Sequence, residues 1–539
     1  MHDCLQVPEV VNLIASKISE GRFGSKNLKE SGRVLQARVA VLNFARSCRA
    51  FKEPALDVLW SKLTSLEPLI RCLPRDLWRR SSPGGPLVIE RALFAQDWEI
   101  FHYYARRVRS LQFTKFQSSR IDNSFVLAVS GSPTLPLLPN LKEMLWFDGS
   151  EMLSQLLCFL LGPSLQILSL HEDQPTQLAR QAVIASLGQF CPSLRRLTMK
   201  STELSANNCR AICGLKHLTY LTVGSINNRL ALEYTSSLQS LVELEVLVAE
   251  TTLPNRPFQS VITFTQNLRS LRINALTFSS ACSLFSDTSF SLEELTIEVQ
   301  KLGSTSLDVC LFTALRSFTA TLTKCQIRMM TTIGTTDPND TCFSFSLAGL
   351  ASLLSCRKLQ ELKFYGLCRS VINDSDMERM AKSWPELTVL HFGVDHAWRD
   401  PPKLTLSGLC SLLEHCPLLS RLEVAFIAQV SEPFTSIPPK KHMVNERITY
   451  LYVGTSPIEE PLKVAAFLSA ILPNLKLFEL SVDGGVDPVH LVHRERWKLA
   501  QESYQLFVMA RQQGMNIQAV REENSMDASK ESWSEVLVK

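Results

Sequence analysis

Two histidine pairs are the nearest this chain comes to a metal or acid–base constellation: His391 and His396 with Asp395 between them, and His490 and His493 with Glu495 just beyond. Imidazole and carboxylate groups at such intervals can share a zinc ion or relay a proton, but zinc asks for further ligands at familiar spacings and no cysteine stands beside either pair. The fifteen cysteines are scattered, Cys209 and Cys213 being the closest two, and none form Cys-x-x-Cys. They read as buried thiols in a reducing compartment. Gly-x-x-x-x-Gly-Lys, Gly-x-Gly-x-x-Gly, Gly-x-Ser-x-Gly and His-Glu-x-x-His are all missing, so the frameworks that cradle phosphate, expose a serine or hold zinc are not there. The sequence implies no cofactor and no metal, and an enzyme is the least favoured class.

Composition narrows the rest. The 539 residues are 45% hydrophobic and 20% charged, with a net charge of +4, which is ordinary globular material with room for several domains or one elongated array. Lys and Arg are dispersed; the densest groups, Arg75 to Arg80 and Arg106 to Arg109, are interrupted by Trp78 and Val108. Neither makes a nucleic-acid surface. The start, Met1-His2-Asp3-Cys4, lacks the basic and apolar regions of a signal peptide. Met152 to Leu170 is apolar but carries Gly162-Pro163-Ser164 at its centre, against the roughly 20 apolar residues a membrane helix needs. The expectation is a cytoplasmic or nuclear protein that engages neither nucleic acid nor membrane.

What would position side chains here is a repeat. Leu-x-x-Leu-x-Leu recurs at Leu165, Leu168, Leu170; Leu194, Leu197, Met199; Leu218, Leu221, Val223; Leu244, Leu247, Ala249; Leu268, Leu271, Ile273; and Leu292, Leu295, Ile297. It resumes at Leu315, Phe318, Ala320; Leu359, Leu362, Phe364; Leu387, Leu390, Phe392; Leu419, Leu422, Val424; Ile448, Leu451, Val453; and Leu475, Phe478, Leu480. Successive copies lie 23 to 32 residues apart, with one step of 44. That period and motif are those of a leucine-rich repeat. The last two apolar positions alternate along a short strand and point inward, while the next fifteen or so residues return on the other side. Several returns are helical in pattern: Val183, Ile184 and Leu187 before Cys191-Pro192; Met377, Met380 and Ala381 before Trp384-Pro385; Leu409, Leu412 and Leu413 before Cys416-Pro417; Val464, Phe467 and Leu468 before Pro473. Ser375 and Glu378 have the spacing of a capping box. Weaker copies begin the array at Val108, Leu111, Phe113 and at Leu141, Met144 or Leu145, Phe147. Long loops are read at Met329 to Asp340 and Ser431 to Glu446.

Ahead of the repeats the period is helical. Pro8 suits a first helical position, and Val10, Val11, Ile14 and Ile18 follow on one side. A second helix is read from Val34 to Phe51 with Leu35, Val39, Leu42, Ala45 and Cys48 or Phe51 on one face, ended by Pro54, and a third from Ala55 to Lys62 with Leu56, Leu59 and Trp60. Three such helices are too small for a large core of their own, so their apolar positions are shared with a neighbour. That neighbour is either another protein or the open end of the array.

The order Val7-Pro8-Glu9, Cys48-Arg49-Ala50-Phe51 and Trp60 resembles an F-box, with Val7 where that family carries leucine and a longer polar segment from Ser19 to Arg33. With Pro54 to Trp60, Leu73 to Trp78 and the repeats, the chain is similar over nearly its whole length to fungal F-box proteins with leucine-rich repeats. The resemblance implies an α/β fold: residues 1–62 an F-box-like helical domain, 63–107 a linker and N-terminal cap, 108–487 a solenoid with strands on the concave face and helices on the convex one, 488–520 a capping helix, and 521–539 a flexible polar tail. It further implies a non-catalytic substrate receptor of a Skp-cullin-F-box ubiquitin ligase. Leu5, Val7, Pro8, Val10, Ile14, Leu42, Cys48, Phe51 and Trp60 are then the candidates for the Skp adaptor, which brings the cullin scaffold. The alternative is a repeat scaffold or ligand-sensing protein whose helices only cap the solenoid.

For a protein substrate the candidates are the strand positions between the inward leucines: Arg196, Thr198 and Lys200; Tyr220 and Thr222; Arg272 and Asn274; Glu294, Thr296 and Glu298; Lys363 and Tyr365; Tyr450 and Tyr452. Mixed charge with tyrosine suits a protein surface better than a phosphate backbone.

Overall fold

The computed structural model describes residues 7–20, 30–114, 120–147, 151–171, 177–200, 206–225, 229–248, 261–286, 288–301, 309, 315, 321–330, 344–366, 369–392, 394, 402–430, 443–479 and 491–514. The chain falls into two compact units, Met1–Leu247 and Val248–Lys539.

The first unit begins with α1 (Pro8–Ser19), α2 (Glu30–Ser47) and α3 (Arg49–Ser61). Pro8 opens α1 as its residue type predicts, and Val11 and Ala15 are buried against the other two helices. The second and third helices differ from the sequence reading. The chain turns at Cys48, which is extended (φ −152°, ψ 143°), so Pro54 lies inside α3 rather than ending α2. The buried strip of α2 is Ala37 and Val41, with Phe44 stacked on Phe51 at 4.6 Å; Val39 and Leu42, expected inside, are exposed. Ala37 and Val41, four apart, thus face the helical packing, and Val39 and Leu42 face solvent.

The helices run directly into the array. β1 (Lys62–Leu63) pairs in parallel with β4 (Ser110–Phe113), so the first repeat strand lies within what the sequence presents as a linker. Between them, α4 (Glu67–Arg71), an antiparallel hairpin of β2 (Trp78–Arg80) and β3 (Leu87–Ile89), and α5 (Ala95–Ala105) cover that end. Gly84, at φ +80°, makes the hairpin turn in a conformation that costs glycine least. From β4 the strands β5 (Glu143–Trp146), β6 (Ile167–Leu170), β7 (Arg196–Met199), β8 (Tyr220–Ser225) and β9 (Glu243–Val248) pair in sequence order, all parallel.

In the second unit β11 (Ser270–Thr277), β13 (Glu294–Lys301), β14 (Lys324–Met329), β16 (Glu361–Tyr365), β18 (Val389–Phe392), β19 (Arg421–Val424), β20 (Tyr450–Tyr452) and β21 (Leu477–Glu479) pair in that order, again all parallel. The short strands β10 (Ile262–Thr263) with β12 (Thr288–Ser289), and β15 (Ser344–Phe345) with β17 (Arg369–Ser370), pair separately. Helices Asp374–Ser383, Leu406–His415 and Pro461–Ile471 return between strands and bury the apolar positions predicted for them.

Register holds these repeats together in two ways. Inward residues meet their counterparts across each pair, Leu362 beside Leu390 and Leu390 beside Leu422, all fully buried. One residue after the first leucine, a backbone N–H donates to the matching carbonyl of the previous repeat: Thr323 to Glu293 (2.8 Å), Thr388 to Gln360 (2.8 Å), Ser420 to Thr388 (2.8 Å) and Thr449 to Ser420 (3.1 Å). The hydroxyls of Thr323, Thr388 and Ser420 donate to the same carbonyls.

This ladder corrects three motif assignments. Thr219 and Val242 align, so the copy is Leu241, Leu244, Val246 rather than Leu244, Leu247, Ala249, and Leu247 is exposed. Three leucines spaced by three allow either reading, and only pairing decides. Near the 44-residue step the copy is Leu322, Cys325, Ile327, with Leu295 beside Cys325, whereas Phe318 and Ala320 lie outside the described residues. A thiol serves as the middle apolar group because it is small and buries readily. At β5 the inward pair is Met144 and Trp146, and Phe147 faces away from the core beside His171. The capping box at Asp374–Ser383 is made by Asn373 and Asp376, not Ser375 and Glu378.

The last repeat is closed by a helix over 491–514. Trp497 Nε1 donates to the Ser456 carbonyl at 2.7 Å, the Tyr504 hydroxyl to that of Leu472, and Arg511 Nε to Ser469 Oγ at 3.1 Å. A stacked core must be covered where the repeats stop.

Candidate functional site

Two surfaces remain after this packing. The first is on the helical head. Its inner side is fixed to the array: the buried Arg107 guanidinium pairs with Glu53 and Asp57 on α3, the Tyr103 hydroxyl donates to Glu53 at 2.7 Å, and Trp60 packs on Tyr104 at 4.7 Å. The hydroxyl of Tyr103 and then Arg107 hold the Glu53 carboxyl below its ordinary value, against the effect of burial. Val7, Leu13, Val39 and Leu42 on these helices are 43 to 60% exposed.

The adaptor candidates therefore divide. Val7, Pro8 and Leu42 are exposed; Val10, Ile14 and Cys48 are half-buried. Phe51 is buried on Phe44 within the head, and Trp60 packs on Tyr104 of α5, so one belongs to the head's own packing and the other to its attachment to the array. Leu5 lies outside the described residues. Leu13 was missed because helical periodicity assigns it to no core stripe, and Val39 because the sequence places it on the buried face of the second helix, whereas both are exposed.

The second surface is the outward face of the strands, built by alternation. In the first unit it gathers around Glu245. Tyr220 Oη and Thr222 Oγ1 donate to Glu245 Oε2 at 3.2 and 3.3 Å, Lys200 Nζ lies 3.3 Å from Oε1, and the Arg196 guanidinium covers the Tyr220 ring at 4.2 Å. Thr198, Thr222 and Glu245 are buried under this cover. Three sequence candidates, Lys200, Tyr220 and Thr222, thus meet at one carboxylate, with Arg196 covering Tyr220, an arrangement that the shifted repeat assignment had hidden.

In the second unit the face spans seven strands, β11 to β20. Asn274, Glu298, Arg328 and Tyr365 are in register across β11 to β16. The Arg328 guanidinium lies over the Tyr365 ring at 4.8 Å, and that ring packs on His391 at 4.1 Å. His391 Nδ1 donates to Glu423 Oε2 at 2.5 Å, Arg421 Nε donates to Oε1 at 2.5 Å, and Arg421 covers Tyr450 at 4.1 Å. Burial works against the charge on Glu423, but its bonds to His391 and Arg421 outweigh it and hold the carboxyl below the ordinary value. Lys324 and Lys363 pair with Glu294 and Glu361 at 2.6 and 2.5 Å. Arg272 sits beside Thr296 in register, and Tyr452 packs on Val394 and Ala425. Sequence reasoning missed Arg328, Arg421 and Glu423.

His391 therefore serves a carboxylate, and His493 Nδ1 meets the backbone of Ile458 at 3.1 to 3.2 Å. Their partners His396, Asp395 and His490 lie outside the described residues. Among the described residues no cluster of three His, Cys, Asp or Glu side chains could hold a metal, and no helix is long and apolar enough to cross a membrane. Burial pushes thiols up, Cys191 to about 11 and Cys416 to about 12, and Cys416 Sγ donates to the Trp384 carbonyl at 3.4 Å.

Fold and surfaces define an α/β repeat protein with parallel strands and returning helices. No family model and no curated protein matches the chain. Among solved structures it is similar to one described as the Rad7 and Elc1 complex in yeast, at 15% identity over 82% of this chain and 92% of that one, with a TM-score of 0.36. Agreement at that level assigns no function.

Proposed function

We propose that the chain is the substrate receptor of a Skp-cullin-F-box ubiquitin ligase, acting in the cytoplasm or nucleus. The observation that carries this reading is on the head: its inner side is fixed by Arg107 and Trp60, while Val7, Leu13, Val39 and Leu42 face solvent. A helical cap needs only the inner side. Exposed apolar groups that join into a contiguous patch mark a protein interface, and the reading takes these four residues to form one. The Skp adaptor would cover them and bring the cullin scaffold, and the strand faces would hold a protein substrate. The receptor would do no chemistry of its own; rate enhancement comes from holding the substrate near a ubiquitin-charged enzyme, which makes the encounter effectively intramolecular.

The Arg107 pairs and the β1–β4 register support this reading, since they fix the head to the neighbouring repeats of the first unit. The second reading, a repeat scaffold or ligand-sensing protein with the helices as a cap, draws on the inner side alone. Co-purification with the Skp adaptor separates them. The receptor reading predicts that the intact chain retains the adaptor and that Val7→Asp with Pro8→Asp, or removal of residues 1–62, loses it. No retention by the intact chain favours the scaffold.

A further inference from the structure

An excess of positive charge stands at the β2–β3 hairpin of the first unit, away from the strand faces. Three guanidiniums gather around the buried Glu67 carboxylate of α4: Arg80 Nη2 donates to Oε1, Arg71 Nη1 lies 3.8 Å from Oε1, and Arg120 Nη1 lies 3.6 Å from Oε2. One negative charge thus faces three positive ones. Arg80 also donates from Nη1 to the Gly85 carbonyl at 3.0 Å, which ties it to the hairpin turn. That turn is Ser81-Ser82-Pro83-Gly84-Gly85-Pro86, and residues 81–84 are exposed. Pro83 and Gly84, at φ +80°, form its corner, closed by the Gly85 N–H on the Ser82 carbonyl at 2.9 Å. A Cβ on Gly85 would collide with the Ser82 hydroxyl, so the serine oxygen and the Arg80 guanidinium meet at the same residue.

We propose that Ser82 is a phosphorylation site for a proline-directed serine kinase, and that its phosphate docks on Arg80. In the transfer the Ser82 hydroxyl oxygen bonds to the γ-phosphorus of ATP, the bond to the β–γ bridging oxygen breaks, ADP leaves, and the hydroxyl proton passes to the kinase. Pro83 selects the enzyme. It presents no N–H to a kinase site that lacks an acceptor, and it biases Ser82 toward the extended backbone that a substrate groove takes up. Arg79 and Arg80 are already paired, with Glu90 and Glu67, which leaves recognition to the proline. The product then meets the surplus charge. Phosphoserine brings about −1.5 to −2 charge and three acceptor oxygens, and Arg80 turns paired donors to it while Arg71 and Arg120 still hold Glu67. The other two Ser-Pro pairs lack these features: Ser456 is fully buried and bonded to Val453 and Phe426, and the half-buried Ser132 donates to the Thr134 carbonyl at 2.8 Å. The proposal is independent of the receptor reading.

The test incubates the full-length chain with ATP and a proline-directed kinase and, separately, with an arginine-directed one, and locates the phosphate by mass spectrometry. Phosphate is expected on Ser82 from the proline-directed enzyme, with incorporation there reduced roughly tenfold or more by Ser82→Ala and by Pro83→Ala. Docking is read by phosphorus NMR titration of the modified chain. The second phosphate pKa should lie about half a unit or more below its ordinary value of about 6 in the folded protein, and return to it in Arg80→Gln and in the same chain unfolded by urea. The urea reference keeps the docking claim testable whether or not Arg80→Gln folds. The proposal is overturned by no phosphate on Ser82, by incorporation undiminished in Ser82→Ala, by preferential modification of Ser82 by the arginine-directed enzyme, or by a phosphate that titrates identically in the folded and unfolded chain.

Discussion

The head and the repeats solve the same problem of burial with opposite results. In the repeats each inward residue meets its counterpart from the neighbouring strand, and Leu168, Leu362, Leu390 and Leu422 have no exposed surface. The head buries a narrow strip, Val11, Ala15, Ala37 and Val41, while Leu13, Val39 and Leu42 remain in solvent. The inward strand residues close the array, while helix residues such as Leu230 and Leu462 there are exposed. The head keeps some in reserve, and its attachment through Arg107 rather than through those residues shows that they are not needed to hold it in place.

That contrast can be broken from either side. Leu362→Ala, in the fully packed array, should cost about 3 kcal/mol from lost transfer energy and the cavity left behind, read as a fall in the urea midpoint of the second unit. Arg107→Ala should cost about 2 kcal/mol through its charged hydrogen bonds, and faster amide exchange along α3 than along the repeat strands would localise the effect. Equal acceleration everywhere would mean that the head and first repeats open together.

Acid provides a smaller, signed comparison. Glu423 has a depressed carboxyl, so its contribution is present above the unfolded value of about 4.3 and is lost as pH falls through the lower folded one. Glu53 has the same sign, but its side chain is 52% exposed and its effect is screened. Thermal melts between pH 6 and pH 3 should therefore flatten more for Glu423→Gln than for Glu53→Gln. The smallest stability change is expected for Val39→Glu with Leu42→Glu, within about 0.5 kcal/mol, because neither side chain supports the head's packing.

Regular periodicity made the repeats legible before any coordinates: most inward triplets and the closing helix lie where the motif puts them. Where the motif was ambiguous the sequence could not decide. Leu241, Leu244 and Leu247 permit two registers, and Cys325 hides a copy because cysteine is not counted among leucine substitutes. Both slips concealed chemistry, Glu245 in one case and Arg328 in the other. In the head, Pro54 misled because the chain already turns at the extended Cys48, and Pro54 lies inside the following helix rather than at the end of the previous one. Which face of α2 is buried is settled by Ala37 and Val41 packing inward, a choice that hydrophobicity alone does not rank because Val39 and Leu42 offer an equally apolar face.

The central claim is that Val39 and Leu42 belong to an interface and not to the fold. It is tested by titrating the purified Skp adaptor into the wild-type chain and into the Val39→Glu, Leu42→Glu protein by calorimetry, with a thermal melt of each beside it. The account predicts binding by the wild type, loss of at least a hundredfold in the variant, and melting temperatures within a few degrees of each other. Undiminished binding by the variant, or no binding by a folded wild type, would contradict it.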